Sequence, residues 1–513
     1  FKDVSDVWSD TTASYSNGAA YGDLDNDGDL DLVTSNINDI AFIYENQTDS
    51  TSNFLRIKLK ESESHIALIG TKVLCYSDDI TQAFTYQPNR GYCSTSEPII
   101  HIGLGNSEAD SVVIVWPDGN TQIEHNLKRR SNIDIKYKLD RPNLKENSSS
   151  NMISAIDSTF IDYTHYEKRF SDFDVQGLIQ SLESEKGPAM AIGDLDNNGT
   201  DDIIFGGNKD LSTVVALQST EGIFKSNEVF NTNTDVAGLL LFDLDGDKDL
   251  DIFVSQGSSE VNEFSHYTNR IYINDGSGNF KVDESLIKAE KSTGSSLVVA
   301  SDFDKDGDLD CYLLNNSFRS VGGYDLREGQ RAIRDEGGGN KFYRNDGQKF
   351  TDISEDAGIY GSAIGFGLGV TIGDVDKDGW QDIFVSNDFF ERDYLYLNQQ
   401  DGTFKEELTE RMPEISMGSM GADMADLNND GFPEIFVTEM LPRSNARYKT
   451  KATFESWDKA QRNIEMGYHY QFGRNALHLN NQNGTFSEIS RLANIAATDW
   501  SWGALMCDLD NDG

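Results

Sequence analysis

Seven short stretches of this chain place carboxylates close enough together to hold a metal ion. DLDNDGDLD covers residues 23–31, DLDNNGTDD 194–202, DLDGDKDLD 243–251, DFDKDGDLD 302–310, DVDKDGWQD 374–382 and DLNNDGFPE 426–434. A seventh copy, DLDNDG, occupies 508–513. Oxygen-bearing side chains recur at positions 1, 3, 5 and 9. The candidate ligands are Asp23, Asp25, Asp27 and Asp31; Asp194, Asp196, Asn198 and Asp202; and Asp243, Asp245, Asp247 and Asp251. They continue with Asp302, Asp304, Asp306 and Asp310; Asp374, Asp376, Asp378 and Asp382; Asp426, Asn428, Asp430 and Glu434; and Asp508, Asp510 and Asp512. Two unit charges about 4 Å apart repel by roughly 4 kcal/mol at an effective dielectric of about 20. Four carboxylates around one point must open the loop, take up protons or hold a hard cation. The motif offers oxygen and neither His nor Cys, which favours Ca2+ over zinc or copper. Mg2+ prefers fewer carboxylates and keeps several waters. Gly at position 6 supplies the sharp turn that wraps an ion.

These loops are not EF-hands. Thr34 and Phe205 stand where a bidentate Glu would be needed, and a strand-like run follows instead of a helix. Solvated acidic turns are the plain alternative. Seven copies in one register, each beside an apolar strand, argue against it. Two copies depart from the pattern. Lys248 takes the Gly position of the third loop, and Asn428 and Glu434 replace Asp in the sixth, lowering its charge. The seven loops carry 29 of the 87 acids, so the other acids form solvated surface.

The elements that position the loops also repeat. A Gly-rich apolar stretch such as GPAMAIG or GFGLGVTIG precedes the motif, and a strand-like run such as DIFVSQ or DIFVSN follows it. Further on comes a second recurrent piece: YINDGSGNF from Tyr272, YRNDGQKF from Tyr343, YLNQQDGTF from Tyr396 and HLNNQNGTF from His478. Asn or Asp beside Gly between two β-type runs signals a hairpin. One unit therefore reads as strand, acidic loop, strand, connector and hairpin. That is the four-strand content of a propeller blade. Little helix intervenes, which argues against a βαβ sheet.

Composition narrows the function classes. The chain has 513 residues and a net charge of −44, from 43 basic and 87 acidic residues. Such a charge repels nucleic acid and anionic lipid, and no basic stripe compensates. No run of 18 apolar residues is present, so no helical span is expected. Four cysteines are too few for a disulfide framework. Cys311 and Cys507 read as small buried hydrophobes, while Cys75 and Cys93 lie close enough in sequence to pair or to stay reduced.

The DxDxDGxxD loop between strands resembles the FG-GAP/VCBS repeat of integrin-α-type β-propellers. GTKVLCY from Gly70, NRGYCSTSEPIIHIGLG from Asn89 and DSVVIVWPDG from Asp110 closely resemble the ASPIC/UnbV domain. The order of repeat, ASPIC/UnbV and repeat is similar to the cartilage-acidic-protein-like surface proteins common in Bacteroidetes. The resemblance covers nearly the whole chain. It implies seven-bladed propellers, calcium in the blade loops and export to the cell surface or medium. It implies no established enzyme activity.

The expected fold is all-β: an integrin-α-like propeller preceded by a small β-rich domain. Residues 1–52 read as the last blade of an upstream propeller, 53–140 as the ASPIC/UnbV domain and 141–151 as a polar linker. Residues 152–513 read as a propeller truncated at its C-terminal end, and the chain as a fragment whose missing leader says nothing of location. Two long connectors offer further surfaces. Leu441–Phe472 carries Arg443, Arg447, Lys449, Lys451, Lys459 and Arg462, with Phe454, Trp457, Gln461 and Ile464 at helical spacing. This helix either packs its aromatic face on the propeller or forms a lid offering Trp457, Tyr468, His469 and Tyr470 to a ligand. The other connector, Asn316–Asn340, has Arg319, Arg327, Arg331 and Arg334, which either meet an anionic glycan or balance neighbouring Asp. HExxH, GxSxG, GxGxxG and P-loop motifs are missing, and His101 reads as structural. The expected function is a secreted or surface calcium-binding module for adhesion to glycan or protein, without chemistry of its own. A polysaccharide-active enzyme or accessory with its site at the propeller mouth is the alternative, and an assembly scaffold is a third.

Overall fold

The computed structural model describes residues 16–36, 40–47, 52–60, 68–77, 80–90, 94–117, 120–125, 127–137, 153–155, 161–168, 170–171, 187–245, 247–257, 267–287, 295–316, 327–335, 338–347, 349–389, 391–451 and 457–508. Strands dominate. Six sheets follow one another, each with four antiparallel strands; the first takes its fourth strand from much later in the chain, and one outside strand is added in parallel to the second. Their first strands are Ser16–Gly22, Met190–Gly193, Val236–Phe242, Ser295–Ser301, Gly367–Gly373 and Ala422–Ala425, and each lies beside the next. That is the blade arrangement of an integrin-α-like β-propeller, with the first strand of each blade innermost. Innermost strands crowd one another, which explains their small residues. A Cβ on Gly373 would meet Met424 Sδ at 2.3 Å, and one on Gly367 would meet Leu314 Cδ1 at 2.3 Å.

Apolar clusters lie between neighbouring sheets. Leu297, Val299, Tyr312 and Leu314 of the fourth pack against Val370, Ile372, Ile383 and Val385 of the fifth. Both faces of an inner blade are therefore covered. This is why DIFVSN is buried along its whole length (Asp382–Asn387) rather than alternating.

The structure corrects the reading of residues 1–52 as part of an upstream propeller. The strand Phe42–Asn46 pairs antiparallel with Ile153–Ala155, so the fourth strand of the first blade arrives from beyond the ASPIC/UnbV region. Strand Ser16–Gly22 lies beside Met190–Gly193 of the second blade. The first blade thus belongs to the same array as the others, and residues 53–140 are inserted between its third and fourth strands. The late strand covers an edge that would otherwise expose unpaired backbone groups.

The inserted domain has two sheets. One orders Thr121–His125, Ser111–Val115, Lys72–Ser77 and Ile80–Thr85; the other orders Ser131–Lys136, Asn53–Lys60 and Ile100–Gly105. Leu55, Ile57, Val73, Ile102, Val112, Ile114 and Trp116 share its core. Residues 87–90 and 94–97 leave this core and lie among the innermost strands of the blades. Ser94 and Thr95 pair in parallel with Met190 and Ala191. Thr95 Oγ1 donates to Leu239 O at 2.8 Å and Asn89 Nδ2 to Val298 O at 2.8 Å. Glu97 N–H reaches Tyr21 O at 3.0 Å. Arg90 Nη1 reaches Asp423 Oδ2 at 3.3 Å and Met506 O at 3.1 Å. The last described residues return to the same place: Met506 N–H bonds Asp423 Oδ2 at 2.7 Å and Gly421 N–H bonds Trp502 O at 2.8 Å. The chain therefore arranges its blades around a segment of its own inserted domain.

Candidate metal centres

Each of the first six acidic loops joins the first and second strands of a blade and closes on itself through backbone N–H groups. The N–H at position 6 donates to Oδ2 of the position 1 carboxylate: 3.1 Å from Gly28 to Asp23, 3.1 Å from Gly199 to Asp194, 3.2 Å from Gly307 to Asp302 and 2.9 Å from Gly379 to Asp374. Position 6 needs a left-handed backbone, with φ of 101° at Gly28 and 104° at Gly307. Lys248 keeps the same turn at φ 83° and the same bond to Asp243 Oδ2, at 3.0 Å. Its turn geometry therefore survives, at a cost of about 1–2 kcal/mol for a left-handed residue bearing a Cβ.

In five loops three carboxylates each place one oxygen within 4.8 Å of the others. The triads are Asp23–Asp25–Asp27, Asp194–Asp196–Asp202, Asp243–Asp245–Asp251, Asp302–Asp304–Asp306 and Asp374–Asp376–Asp382. The sixth loop forms no such triad among the described residues, as Asn428 at position 3 brings an amide in place of a carboxylate. Asn428 Nδ2 instead donates to Glu434 Oε1 at 3.3 Å. Asp508 is described, whereas Asp510 and Asp512 lie outside the described residues.

The position 9 carboxylate has a second task that sequence reasoning missed. One oxygen of Asp382 accepts Val375 N–H at 2.9 Å, and the other accepts Asn398 N–H at 2.9 Å from the end of the third strand. The pattern repeats at Asp31, Asp202, Asp251, Asp310 and Glu434. The partner residue then reaches the preceding blade. Asn398 Nδ2 donates to Phe303 O at 2.8 Å, Asn480 Nδ2 to Val375 O at 2.9 Å, and Asn274 Nδ2 to Leu195 O at 2.9 Å. Gln218 Nε2 does the same to Leu24 O at 2.7 Å, which again ties the first blade to the second. Each of these carbonyls is position 2 of the neighbour's acidic loop. The recurring Asn in YINDG, YRNDG, YLNQQ and HLNNQ was the available signal, and it reads as more than a hairpin residue.

Burial, reinforced by neighbouring carboxylates, pushes the loop acids upward. Asp23 rises to about 7, Asp31 to about 8, Asp202 and Asp251 to about 7, Asp302 to about 7 and Asp310 to about 8. A bound dication would reverse that balance by favouring the charged forms. The donor set fits such an ion. The triads offer only oxygen, and Asp23, fully buried, keeps Oδ1 without a hydrogen-bond partner.

The four residues considered as a lid do not form one face. Tyr468 is buried, and its hydroxyl donates to Arg327 O at 3.2 Å and to Gln330 Oε1 at 3.2 Å, tying the two long connectors together. His469, half-buried, meets Met412 O through Nε2 at 2.9 Å. Trp457 and Tyr470 point to solvent, at 76% and 49% exposure. Of the aromatic face, Trp457 is exposed while Gln461 and Ile464 are half-buried. Helix Trp457–Glu465 buries none of its residues, and a separate helix, Asn445–Lys451, precedes it. Phe454 lies outside the described residues. Arg331 pairs with buried Glu391 at 2.5 Å and balances the protein's own charge, while Arg334 bonds Ile359 O. Arg319 and Cys93 lie outside the described residues, so the question of a Cys75–Cys93 bridge does too. His101 is buried and stacks on Phe54 with centroids 6.0 Å apart.

Residues 61–141 match the family described as ASPIC and UnbV, and residues 374–437 match the FG-GAP-like repeat. The chain carries an ASPIC/UnbV segment and FG-GAP repeats. It is similar to cartilage acidic protein 1 of Homo sapiens, 29% identical over 136 residues, which are 25% of this chain and 20% of that protein. The Xenopus tropicalis form is 32% identical over 126 residues, 23% of this chain and 19% of that protein. Integrin alpha-6 of Homo sapiens is 35% identical over 88 residues, 15% of this chain and 8% of the integrin. The chain thus spans about a fifth or less of the length of these relatives. Among solved structures, the V. cholerae biofilm matrix protein Bap1 overlaps 58% of this chain and 38% of its own at 16% identity, with a low TM-score of 0.29. Among the described residues no helix is long and apolar enough to cross a membrane.

Proposed function

We propose that this chain is a calcium-stabilised binding module of the cell surface or extracellular medium, whose blades present a rigid surface to a glycan or protein ligand. The observation that carries the reading is the set of five all-oxygen triads, each at the same place in its blade. Ca2+ suits such a donor set, taking six to eight oxygens in flexible geometry. Its chemistry here is charge neutralisation: the carboxylates stay ionised and the loop stays closed on its ion. The blade scaffold then carries the variable connectors, the usual seat of recognition. The location follows from the integrin and cartilage-acidic-protein likeness and is part of the proposal. So is the assignment as a binder without turnover.

Chelation tests the reading. Saturation at a hundredfold over Kd contributes about 2.7 kcal/mol per site. Five filled triads give about 13 kcal/mol, or about 12 °C in Tm at roughly 2.1 cal/mol/K per residue. EDTA should lower Tm by that order, and Ca2+ should restore it better than Mg2+. An unchanged Tm with EDTA would overturn the proposal. A glycan array read for both retention and released product separates a binder from a polysaccharide-active enzyme.

A further inference from the structure

We propose that the inserted domain tunes calcium affinity at the first, second and fifth loops by placing its own cations on their position 1 carboxylates. The inference rests on the calcium reading above and goes beyond it in naming residues outside the loops. Arg56, in strand Asn53–Lys60, is fully buried, with Nη1 2.9 Å from Asp23 Oδ2. Its Nη2 pairs with Glu97 and lies 3.6 Å from Asp201 Oδ2. Lys58, two residues on and therefore on the same strand face, has Nζ 3.6 Å from Asp194 Oδ2. Lys72, from the domain's other sheet, pairs with Asp374 Oδ2. All three acceptors are Oδ2 of the position 1 Asp, the oxygen that also takes the position 6 N–H. Shape reinforces charge at the first loop. A Cβ on Gly28 would stand 1.7 Å from Phe54 Cζ, so the phenyl ring of the same strand covers the loop's turn.

A cation and a calcium ion on one carboxylate repel each other and share its charge. The domain's side chains therefore weaken calcium at these three loops while holding the carboxylates in place. Lys60, next on that face of Asn53–Lys60, pairs with Asp134 of its own domain at 2.6 Å and touches no loop. It is the internal control for bulk charge.

The experiment is calcium titration of the full chain by competition with a chromophoric chelator. The wild type is compared with Lys72→Gln, Arg56→Gln, Lys72→Arg and Lys60→Gln. Lys72→Gln should tighten one site by about fivefold, Lys72→Arg should restore the wild-type value, and Lys60→Gln should change nothing. Arg56→Gln should tighten a further site. Because Arg56 is buried among three acids its variant is prone to misfold, and the part-exposed Lys72 carries the test alone. A purely structural lysine would show weaker binding on removal, so gain is the diagnostic sign. Unchanged or weaker affinity in Lys72→Gln, or equal tightening in Lys60→Gln, overturns this inference while leaving the calcium reading standing. Absence of calcium binding in the wild type overturns both.

Discussion

Asn398→Leu removes a link between two blades while keeping side-chain volume close to constant. The side chain is 5% exposed, and its Nδ2 donates to Phe303 O at 2.8 Å and Gln381 O at 3.3 Å. Its Oδ1 accepts Gln400 N–H at 2.9 Å. Leucine replaces none of these. Each buried group left without its partner costs about 1–3 kcal/mol, and with two carbonyls affected the loss is about 3 kcal/mol. Neighbouring blades share apolar clusters, so the array is expected to melt as one unit. The entropy of unfolding is then roughly 2.1 cal/mol/K per residue, or about 1.1 kcal/mol/K for the chain. Tm should fall by about 3 °C in differential scanning calorimetry. The effect should also reach the metal. Phe303 is position 2 of the fourth loop, so the calcium-dependent part of the stability should shrink for a loop in the neighbouring blade. Asn481→Leu is the control: its amide reaches Thr485 Oγ1 within an exposed hairpin, and a surface change there stays within about 0.5 kcal/mol. A Tm change below about 1 °C in Asn398→Leu would refute the reasoning, because buried interblade bonds would then contribute no more than a surface amide.

Three further outcomes follow from buried polar groups and strained backbone. His478 is fully buried, neither ring nitrogen has a partner among the described residues, and burial depresses it to about 4 from an ordinary 6.5. The unfolded chain then binds a proton that the fold excludes, so stability falls as pH drops from about 6.5 to about 4, by about 1.4 kcal/mol per pH unit. His478→Leu should flatten that part of the Tm–pH profile relative to wild type, and an unchanged profile would show that the imidazole does not govern it. Arg90→Met should cost about 3–5 kcal/mol by leaving Asp423 buried without its cation, and Asp423→Asn in the same chain should recover much of it in urea unfolding. Lys248→Gly should stabilise the third blade by up to about 1 kcal/mol by relieving a left-handed residue, and its calcium affinity, measured by titration, should not fall.

What the sequence made legible was what repeats locally. The acidic string, the apolar run after it and the Asn-Gly hairpin lie within a few dozen residues, and each maps onto one loop or strand of a blade. Long-range pairing left no such mark. The three residues Ile153–Ala155 complete a sheet begun at Ser16, and their short sequence has no period that announces it. From sequence the boundary at residue 52 therefore reads as the end of a propeller, whereas the fold makes it the entry to an insertion. The connector near Trp457 failed for another reason. Its aromatic spacing fits a packed face or a lid equally, and periodicity alone does not say which neighbour, if any, covers a helix. Tyr468, beside it in sequence, carries no mark that separates a ligand-facing ring from the buried tie between connectors that it is.

The insertion point explains more than the domain order. A domain entered from the third strand of a blade begins beside that blade's acidic loop. Strand Asn53–Lys60 leaves the first blade and passes at once over Gly28 and Asp23. Residues 87–90 and 94–97 of the same domain reach the innermost strands, where Arg90 meets Asp423 of the sixth blade and Glu97 meets Tyr21 of the first. Blades that touch only their neighbours gain through this segment a set of contacts spanning the array. Loss of one such contact should therefore weaken blades distant in sequence. Arg90→Met makes that concrete: hydrogen exchange should rise in Ser16–Gly22 and Ala422–Ala425 together, although about 400 residues separate them. Faster exchange confined to the sixth blade would mean that the segment fills space between the blades without joining them.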